Sequence, residues 1–504
     1  MPLWIRRLQP YLLLTLFALP AVWPFTHPGL PRTNDNLPHL YRVVELDRLV
    51  QAGVLFPRWA PDLVHGYGYP VFNFFPYLSH YVAEVYHLLG FSFLTAFKAA
   101  YVTALLCAAW FAYRLGREYF GETAGLIAGV AYLYSPYLLY NAHIRGALPE
   151  ITALAILPLT MLYLHRAAWG DRRSVAWAGM ALAAFVFAHN AVGLQIMPLL
   201  LVYTLFETVT RSALFTVGSD GRLEMGRWKL KFGIWDFLFA IIPFLLGGLL
   251  SAFYWLPSLT EIKYVQFSNA TANSSMWYFT HFTPLRELLA LPRLPVDPDL
   301  LNPPVVHSLP LAALVFATVS LLRLPFSPTP KLPGLFFAAL ALLTTFLVLP
   351  ASRPVWDALP LLRLTLYPWR LLGLVTLLLA VLAGSLFAGY PTTNHGRPGI
   401  GIWDFILSLM LLALMIAGLP LASPPLEPAP TDPTLANVAE FEIPPDLIGT
   451  STAAEFLPAW VKKLPDLAPI RERLVRSERV ERFEQPPAGT HIKLAAEGVR
   501  IVVE

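Results

Sequence analysis

The sequence predicts an all-α membrane protein that crosses the lipid bilayer about eleven times. Of its 504 residues, 56% are hydrophobic and only 13% are charged, and the mean hydropathy is +0.56. A soluble domain carries about 25% charged residues, so the deficit means that most of the surface faces lipid. Long apolar runs, separated by short polar segments, recur along the chain and give the number of spans.

Each predicted span is an apolar run, since a helix needs about 20 mostly apolar residues to cross the hydrocarbon core. The runs are residues 11–25, 93–113, 123–140, 151–165, 175–188, 192–207, 235–256, 306–322, 335–349, 369–390 and 402–421. Residues 70–89 form a further run, which Asn73, His80 and Glu84 interrupt. This run predicts one or two helices that lie at the membrane interface rather than another span.

Lysine and arginine in short loops predict a multi-pass protein of the cell membrane with a cytoplasmic N-terminus, because basic segments stay inside. The cytoplasmic segments are residues 4–7, 114–117, 165–173, 222–231, 323–331 and 392–397. An odd number of spans then places the C-terminal tail outside. A signal peptide is the alternative for the first run, but its prolines and the bulky Val22-Trp23 pair make a poor cleavage site and favour a retained helix.

The chain divides into a transmembrane module, residues 1–421, and a short extracytoplasmic tail, residues 422–504. Three outer segments of the module offer room for a site, namely the two long loops, residues 27–91 and 257–304, and the shorter residues 352–370. The tail opens with a proline-rich linker and ends in alternating apolar and polar residues, which predict strands. It is either a small strand-containing appendage or an edge that needs a partner.

Charge and cysteine content exclude two broad classes of function. The formal net charge of +4 is small, whereas nucleic-acid binding needs a clustered basic face. The single cysteine, Cys107, lies in an apolar run, so the chain has neither a disulfide framework nor a thiolate metal site. The oligomeric state stays open at this stage.

The first outer loop holds the leading candidates for chemistry, Asp35 followed by His39 and Arg42. Asp35 precedes a predicted short helix, where a carboxylate serves as an N-cap. Alternatively, Asp35 is a general base or a metal ligand, because polar neighbours can hold it beside a substrate. The acids that follow, Glu45 and Asp47, alternate with arginines and indicate an exposed, salt-bridged helix face.

A second group lies at the outer ends of the third to fifth spans. Arg145 and Glu150 are either an ion pair that ties two helices together or a phosphate-binding arginine with a second carboxylate. Charged groups at membrane depth are expensive and are often functional. His189 ends the fifth span on the same side and is followed by Asn190. Such a pair more often marks the end of a helix than forms a catalytic dyad.

Arginines before the tenth span and in the first loop form a third group. Arg363 and Arg370 lie seven residues apart where the tenth span begins, near one helical face, and Arg58 stands beside Trp59 in the first loop. Arginine suits bidentate recognition of phosphate. The alternative is an anchor belt of arginine and aromatic residues at the interface, which explains Trp369 well. Arginines on the outer side run against the positive-inside trend, so the phosphate interpretation stays open beside the anchor.

These residues carry a family resemblance over nearly the whole chain. A long first outer loop with an acid soon after the first span resembles the C-type (GT-C) membrane glycosyltransferases. More closely, the chain resembles bacterial and archaeal membrane proteins labelled 6-pyruvoyl-tetrahydropterin synthase-related, and the matching segments are residues 35–42, 53–59, 66–74, 145–150, 367–370 and 454–460. The label implies no pterin chemistry here, since the histidines of the first loop are scattered rather than arranged as a zinc-binding set.

The resemblance implies a transferase that moves a sugar from a polyprenyl-phosphate-linked donor to an acceptor at the outer face of the membrane. Its partners are then the polyprenyl-phosphate sugar and membrane lipid. Carried onto this chain, the resemblance implies Asp35 as the catalytic residue and Arg145, Arg363 and Arg370 as ligands of the donor lipid phosphate. The residues themselves add His39 as a second catalytic candidate, Arg58 as a further phosphate ligand, and Arg42, Glu150 and His189 as supporting residues.

The cofactor and two other classes of function stay open. Asn34 and Asn36 flank Asp35, and one carboxylate with amides is a thin ligand set for a hard cation. No cofactor is therefore firmly predicted, and a divalent cation remains an alternative. The chain could also be a lipid or polysaccharide transporter or flippase, or a non-catalytic membrane subunit of an envelope assembly. Against a transporter, the charges cluster at the outer face, and no paired broken helices occupy matching halves.

Overall fold

The computed structural model describes residues 3–217, 223–225, 233–267, 277–294, 307–323, 331–390, 402–443, 447–451, 454–461, 490–495 and 498–503. The predicted basic segments 222–231, 323–331 and 392–397 lie largely outside the described residues, as do residues 268–276 and 295–304 of the second loop. Within the described residues the chain is predominantly helical, as the sequence predicts.

The helices in chain order are α1 (Leu3–Val22), α2 (Asn36–Gln51), α3 (Val71–Phe74), α4 (Leu78–Leu88), α5 (Phe93–Phe120), α6 (Glu122–Leu133), α7 (Pro136–Tyr140), α8 (Leu148–Ala168), α9 (Arg172–Ala188), α10 (Asn190–Leu214), α11 (Ile234–Leu250), α12 (Ala252–Glu261), α13 (Leu285–Leu288), α14 (Leu311–Arg323), α15 (Lys331–Val348), α16 (Arg353–Ala358), α17 (Pro360–Arg363), α18 (Leu372–Gly384), α19 (Ile402–Gly418) and α20 (Leu435–Phe441). The strands are β1 (Leu30–Pro31), β2 (Phe215–Val217), β3 (Leu223–Met225), β4 (Leu426–Glu427), β5 (Thr490–Ala495) and β6 (Gly498–Val503).

The helices confirm a multi-pass membrane protein but not the count of eleven spans. Every predicted run coincides with a helix, yet only seven helices of the described chain are long and apolar enough to cross a membrane. The number rises to 8 if α11 and α12, which meet at a 71° bend, are one span. The run at residues 123–140 is split into α6 and α7, because Pro136 cannot continue the preceding helix and instead begins the next.

Helix α18 lies in the interior of the helical bundle. All of its residues are buried, and it packs against α6, α14 and α15. A helix that is apolar all round belongs in such an interior position. Gly384 allows the closest approach, because a Cβ at this position would lie 2.3 Å from the carbonyl oxygen of Ala124 in α6.

The first loop, residues 27–91, has an apolar core of its own, and the tail completes that core. Leu46, Leu63 and Phe72 of the loop share it with Val438 and Phe456 of the tail. The predicted helices of this loop are present as α3 and α4. The tail strands predicted from alternation are confirmed as the antiparallel pair of β5 and β6.

Short backbone pairings attach the start of the tail to the first loop. Strand β1 pairs antiparallel with β4, and the backbone N–H of Arg32 donates to the carbonyl of Pro425 at 2.8 Å. Farther along, Arg42 Nε donates to Thr450 Oγ1 at 3.0 Å. The described residues of the tail up to 461 are thus built into the loop that contains Asp35.

Glu442 holds a strained turn of the first loop in place. Its buried carboxylate accepts hydrogen bonds from the backbone N–H groups of Val64 and His65, both at 3.0 Å, and of Gly449 at 2.8 Å. Val64 and His65 have φ of 56° and 52°, a left-handed conformation that is unfavourable for side chains such as valine. An acceptor supplied by the tail therefore stabilises a conformation that the loop sequence alone disfavours.

The predicted exposed face at Glu45 and Asp47 is wrong. Both side chains are buried, with relative exposures of 2% and 5%. Glu45 accepts a hydrogen bond from the backbone N–H of Asp62, and Asp47 accepts one from Gln51 Nε2 at 2.7 Å. The rest of the loop and the tail cover this face of α2. A pattern of alternating charge in the sequence cannot reveal that distant segments bury it.

Candidate functional site

Glu150 is the centre of a buried charged cluster. It lies in the first turn of α8, where the helix dipole favours a negative side chain. Its Oε2 accepts a hydrogen bond from Arg145 Nη1 at 2.5 Å and lies 3.4 Å from Arg370 Nε. Its Oε1 accepts a hydrogen bond from the Tyr137 hydroxyl. Residues 137–150 and the distant segment that carries Arg370 therefore meet at one carboxylate.

A single π-helical turn, Asn141–Arg145, positions Arg145. The turn ends at Gly146, whose φ of 76° is left-handed. A Cβ on Gly146 would lie 2.2 Å from Thr33 Oγ1, so only glycine permits the first loop to approach this closely. π-turns of this kind are frequent at functional sites.

Tyr101 of α5 contacts both the start of α2 and the residue that follows the π-turn. Its hydroxyl lies 2.8 Å from Asn36 Oδ1 and 2.6 Å from the carbonyl oxygen of Gly146. The backbone N–H of Asp35 donates to the carbonyl of Arg145 at 3.0 Å. The start of α2 is therefore fixed against the π-turn, and Asp35 is carried to the cluster.

Asp35 is at the N-cap position of α2, but its side chain makes no capping hydrogen bond. The N-cap interpretation is therefore correct for the position and wrong for the side chain. The carboxylate instead points to the cluster, with Oδ2 3.7 Å from Arg145 Nε. Its side chain is 28% exposed, whereas that of Arg145 is 8% exposed. Burial raises the pKa of Asp35, and the positive charges of Arg145, Arg42 and Arg370 oppose that rise.

The two arginines of the cluster lie on aromatic rings. The Arg145 guanidinium lies 5.0 Å from the ring centre of Trp369, and that of Arg370 lies 4.7 Å from the ring centre of Tyr367. Arg370 Nη1 also donates to the carbonyl of Thr365 at 2.7 Å. The Nε atoms of both arginines are buried and have no hydrogen-bond partner among the described residues. Each instead faces a carboxylate beyond hydrogen-bond geometry, Arg370 Nε that of Glu150 at 3.4 Å and Arg145 Nε that of Asp35 at 3.7 Å.

His189 joins the cluster from the junction of α9 and α10. Its Nε2 lies 3.7 Å from Glu150 Oε2, and the side chain is 9% exposed. The structure thus brings together Asp35, Arg145, Glu150, His189 and Arg370, the candidates that the predicted topology places at one membrane face.

Two predicted phosphate ligands lie elsewhere. Arg363 is exposed and donates to the backbone carbonyls of Trp356 and Asp357. Arg58 is half exposed and pairs with Glu261. Nothing in the described residues connects either arginine to Glu150, because local partners hold both side chains in other parts of the molecule.

His39 and Arg42 lie near the cluster without joining it. His39 Nδ1 is 3.2 Å from His80 Nε2, and burial lowers the pKa of both rings, that of His80 to about 3. This pair is therefore neutral at physiological pH. Arg42 bonds to Thr450 and lies 4.0 Å from the ring centre of Phe75, so its contacts attach the tail.

Sequence reasoning missed the tyrosines of the site. Tyr137 donates to Glu150, and Tyr101 fastens the junction beneath Asp35. Both stand in apolar runs among many other aromatic residues, so no local pattern distinguishes them. Among the described residues, no group of three or more histidine, cysteine, aspartate or glutamate side chains could hold a metal ion.

Comparison with solved structures identifies the fold. The arabinofuranosyltransferase AftD from Mycobacteria matches 82% of this chain with a TM-score of 0.50 and 16% sequence identity. The chain shares the fold of the matched part of this membrane glycosyltransferase. It spans only 28% of the length of AftD. The identity is low, so the likeness establishes the fold alone.

Two further solved structures show a weaker likeness. The archaeal oligosaccharyltransferase AglB from Archaeoglobus fulgidus, in complex with an inhibitory peptide and a dolichol-phosphate, has a TM-score of 0.43 and 14% identity over 83% of this chain and 56% of its own. ArnT from Cupriavidus metallidurans, bound to undecaprenyl phosphate, has a TM-score of 0.32 and 14% identity over 87% of this chain and 88% of its own. No family model and no curated protein sequence matches the chain. The resemblance to the 6-pyruvoyl-tetrahydropterin synthase-related proteins stays a prediction.

Proposed function

We propose that this protein transfers a sugar from a polyprenyl-phosphate-linked donor to an acceptor at the outer face of the membrane. The observation that carries the proposal is the position of Asp35, a partly exposed carboxylate beside the buried Arg145 and Arg370. The fold adds support, because its match among solved structures is named an arabinofuranosyltransferase.

The reaction needs a base on one side of the sugar and a stabilised leaving group on the other. An acceptor hydroxyl attacks the anomeric carbon, and its proton passes to Asp35. The bond between that carbon and the phosphate oxygen breaks, and the electron pair stays on the phosphate. Arg145 and Arg370 stabilise the charge that grows there, since fixed donors in a desolvated site act strongly on a developing anion.

The two arginines and the two carboxylates of the cluster balance in charge. Arg145 pairs with both Asp35 and Glu150, and Arg370 pairs with Glu150. The donor phosphate adds a negative charge beside the arginines, and the proton that Asp35 takes from the acceptor hydroxyl neutralises one carboxylate in the same step. We assign Glu150, Tyr137 and His189 to the orientation of the two arginines, and the neutral His39 to the packing behind Asp35.

The test is sugar transfer by the full chain reconstituted in lipid nanodiscs. Radiolabelled polyprenyl-phosphate arabinose, mannose and glucose serve as donors, with a cell-envelope extract as acceptor. Asp35→Asn should reduce turnover about 100-fold or more while the donor still binds, because it removes the base and keeps the shape. Asp357→Asn, at an exposed carboxylate away from the cluster, is the matched control and should keep full activity.

The alternative functions give different results in the same preparation. Full transfer by Asp35→Asn would show that Asp35 is not the base. Absence of transfer with every donor, together with movement of a fluorescent lipid-linked saccharide across proteoliposomes, would favour a transporter. Absence of both activities would favour a non-catalytic subunit.

A further inference from the structure

A cleft separate from the Glu150 cluster lies between three segments that are far apart in sequence, namely the first loop, the end of α12 and the tail. Its volume is about 290 Å³, close to the lower end of the range of about 300–1,000 Å³ for small-ligand sites. The side chains that matter for its chemistry are Arg58, Trp59, Asn73, Glu261, Tyr264 and Trp460. None of these belongs to the cluster around Glu150.

Three large aromatic side chains of this cleft are exposed. The relative exposures are 45% for Trp59, 53% for Tyr264 and 67% for Trp460. A concentration of exposed aromatic surface is costly in water and marks a place where another molecule binds. Flat aromatic rings also have a negative face that attracts the weakly positive C–H groups of a ligand.

The ring of Trp59 is fixed by the backbone beneath it. Gly68 has a φ of 87°, and a Cβ there would lie 2.2 Å from Trp59 Nε1 and 2.6 Å from Trp59 Cε2. The indole therefore rests directly on the glycine backbone. An isolated antiparallel backbone bridge between Ala60 and Tyr69 joins the two sides of this turn. A ring that is fixed in advance loses little entropy when a ligand binds.

Hydrogen bonds to the tail fix the rest of the cleft. The backbone N–H of Phe456 donates to the Tyr69 hydroxyl at 2.9 Å. The backbone N–H of Ala459 donates to the carbonyl of Tyr264 at 2.9 Å, and that of Gln266 donates to the carbonyl of Leu457 at 2.8 Å. The segment that carries Trp460 is thereby joined both to the first loop and to the segment after α12.

The polar part of the cleft is a neutral group of three side chains. Arg58 Nε donates to Asn73 Oδ1 at 2.7 Å, and Asn73 Nδ2 donates to Glu261 Oε2 at 3.1 Å. Arg58 also pairs with Glu261, and these two side chains are 51% and 37% exposed. Planar donors and acceptors therefore remain accessible at fixed positions, with no net charge between them.

We propose that this cleft binds a saccharide chain, through stacking on Trp59 and Trp460 and through hydrogen bonds in which sugar hydroxyls accept from Arg58, donate to Glu261 and pair with the amide of Asn73. A lipid phosphate would need an uncompensated cation, and Glu261 neutralises Arg58. A polyprenyl chain would leave most of its length outside a cleft of this size. The identification of the saccharide as the acceptor rests on the proposed function, whereas saccharide binding itself does not.

The test is calorimetric binding of soluble oligosaccharides to the full chain in nanodiscs. The probes are arabinotetraose, mannotetraose and maltotetraose, and the protein carries Asp35→Asn so that no turnover interferes. At least one probe should bind. Trp460→Ala should weaken that binding about five- to tenfold, as expected for loss of one stacking ring. Trp277→Ala, at another exposed tryptophan outside the cleft, should leave it unchanged.

A second variant separates hydrogen bonding from stacking. Asn73→Ala should also weaken binding of the same probe, and unaltered thermal unfolding of Trp460→Ala would show that the fold is intact. Failure of all three probes to bind, equal binding by Trp460→Ala and wild type, or displacement of the probe by sugar-free polyprenyl phosphate would overturn the proposal. Saccharide binding without sugar transfer by the wild type would instead count against the proposed function and leave the cleft assignment standing.

Discussion

Asp35 differs from the other charged side chains of its cluster in its access to solvent. Its side chain is 28% exposed, against 8% for Arg145, 9% for Arg370 and 0% for Glu150. A base that takes a proton from an incoming hydroxyl must be reachable, whereas groups that stabilise a buried phosphate gain strength from exclusion of water. The gradient of exposure therefore matches the roles proposed for these residues.

The pH dependence of sugar transfer should follow the protonation of the Asp35 carboxylate. Burial raises its pKa above the ordinary value of 3.8, and Arg145 opposes the rise. Activity should therefore fall on the acid side at a pH above that ordinary value, because a protonated Asp35 cannot act as the base. Arg145→Gln should move this acid limb to higher pH, and kcat/KM measured across pH checks both shifts. If the acid limb of Arg145→Gln stays at the wild-type pH, Asp35 is not the group whose protonation sets it.

Arg370 and Arg363 provide a matched pair of variants. Arg370→Ala should lower kcat/KM for the donor about 100- to 1,000-fold, the usual cost of losing one donor to a developing anion. Arg363→Ala should have little effect, because this exposed side chain binds only backbone carbonyls of its own segment. Steady-state kinetics with a polyprenyl-phosphate sugar distinguishes them, and equal losses in both variants would contradict the cluster assignment.

At the scale of elements, Glu442, the residue after α20, adds a polar link between the tail and the first loop. Glu442→Ala should lower the free energy of unfolding by about 2 kcal/mol or more, because three buried backbone N–H groups lose their acceptor. Glu440→Ala, two residues earlier and exposed, is the control and should change stability little. Thermal unfolding in detergent gives the comparison, and similar unfolding of both variants would mean that the acceptor is dispensable.

Helix α4 should make stability depend on pH. Burial and the nearby Asp47 raise the pKa of Glu84 from 4.5 to about 7. The folded protein therefore holds a proton that the unfolded chain releases, so this contribution is complete below pH 4.5 and is lost as pH rises through about 7. Unfolding at pH 5 and pH 8 should differ by on the order of 1–2 kcal/mol from this group. Glu84→Gln should reduce the difference without abolishing it, because burial also raises the pKa of Glu442 to about 7. An undiminished difference would mean that Glu84 does not contribute.

The elements that sequence predicts well are those whose signal is local. The long apolar runs around α5, α8 and α18 stand out because each must be apolar by itself. The environment of α2 could not be predicted, because its cover comes from distant segments. Val64 in the adjoining turn, for example, meets Glu442 across 378 residues of sequence.

The candidate site was predictable only in part. Membrane topology groups Asp35, Arg145, Glu150 and Arg370 at one face, and the structure brings them together. The sequence does not reveal that Arg58 already has a partner in Glu261, a residue far along the chain. Charge type is visible in a sequence, but the neutralisation of one side chain by another depends on packing.

At the scale of the whole molecule, the first loop and the tail must lie on the same side of the membrane. The pairing of β1 with β4 and the bond from Arg42 to Thr450 require it. In a Cys107→Ala background, Ala52→Cys and Ser423→Cys should therefore react alike with a membrane-impermeant maleimide applied to intact cells. Arg172→Cys should react only after permeabilisation, as the predicted cytoplasmic N-terminus requires. Labelling of Ala52→Cys and Ser423→Cys from opposite sides would contradict the structure.

The attachment of the tail to the first loop also has a consequence for biosynthesis. Arg42 and Thr450 are separated by 408 residues. At about 5–20 residues per second, the ribosome needs about 20–80 s between these two residues. Throughout that time the loop with Asp35 is already made, yet it lacks the apolar side chains and the carboxylate that complete its core. The core around Asp35 is therefore completed only after α19, the last described membrane helix, has been made. Under the proposed function, the order of translation delays sugar transfer until the tail is in place.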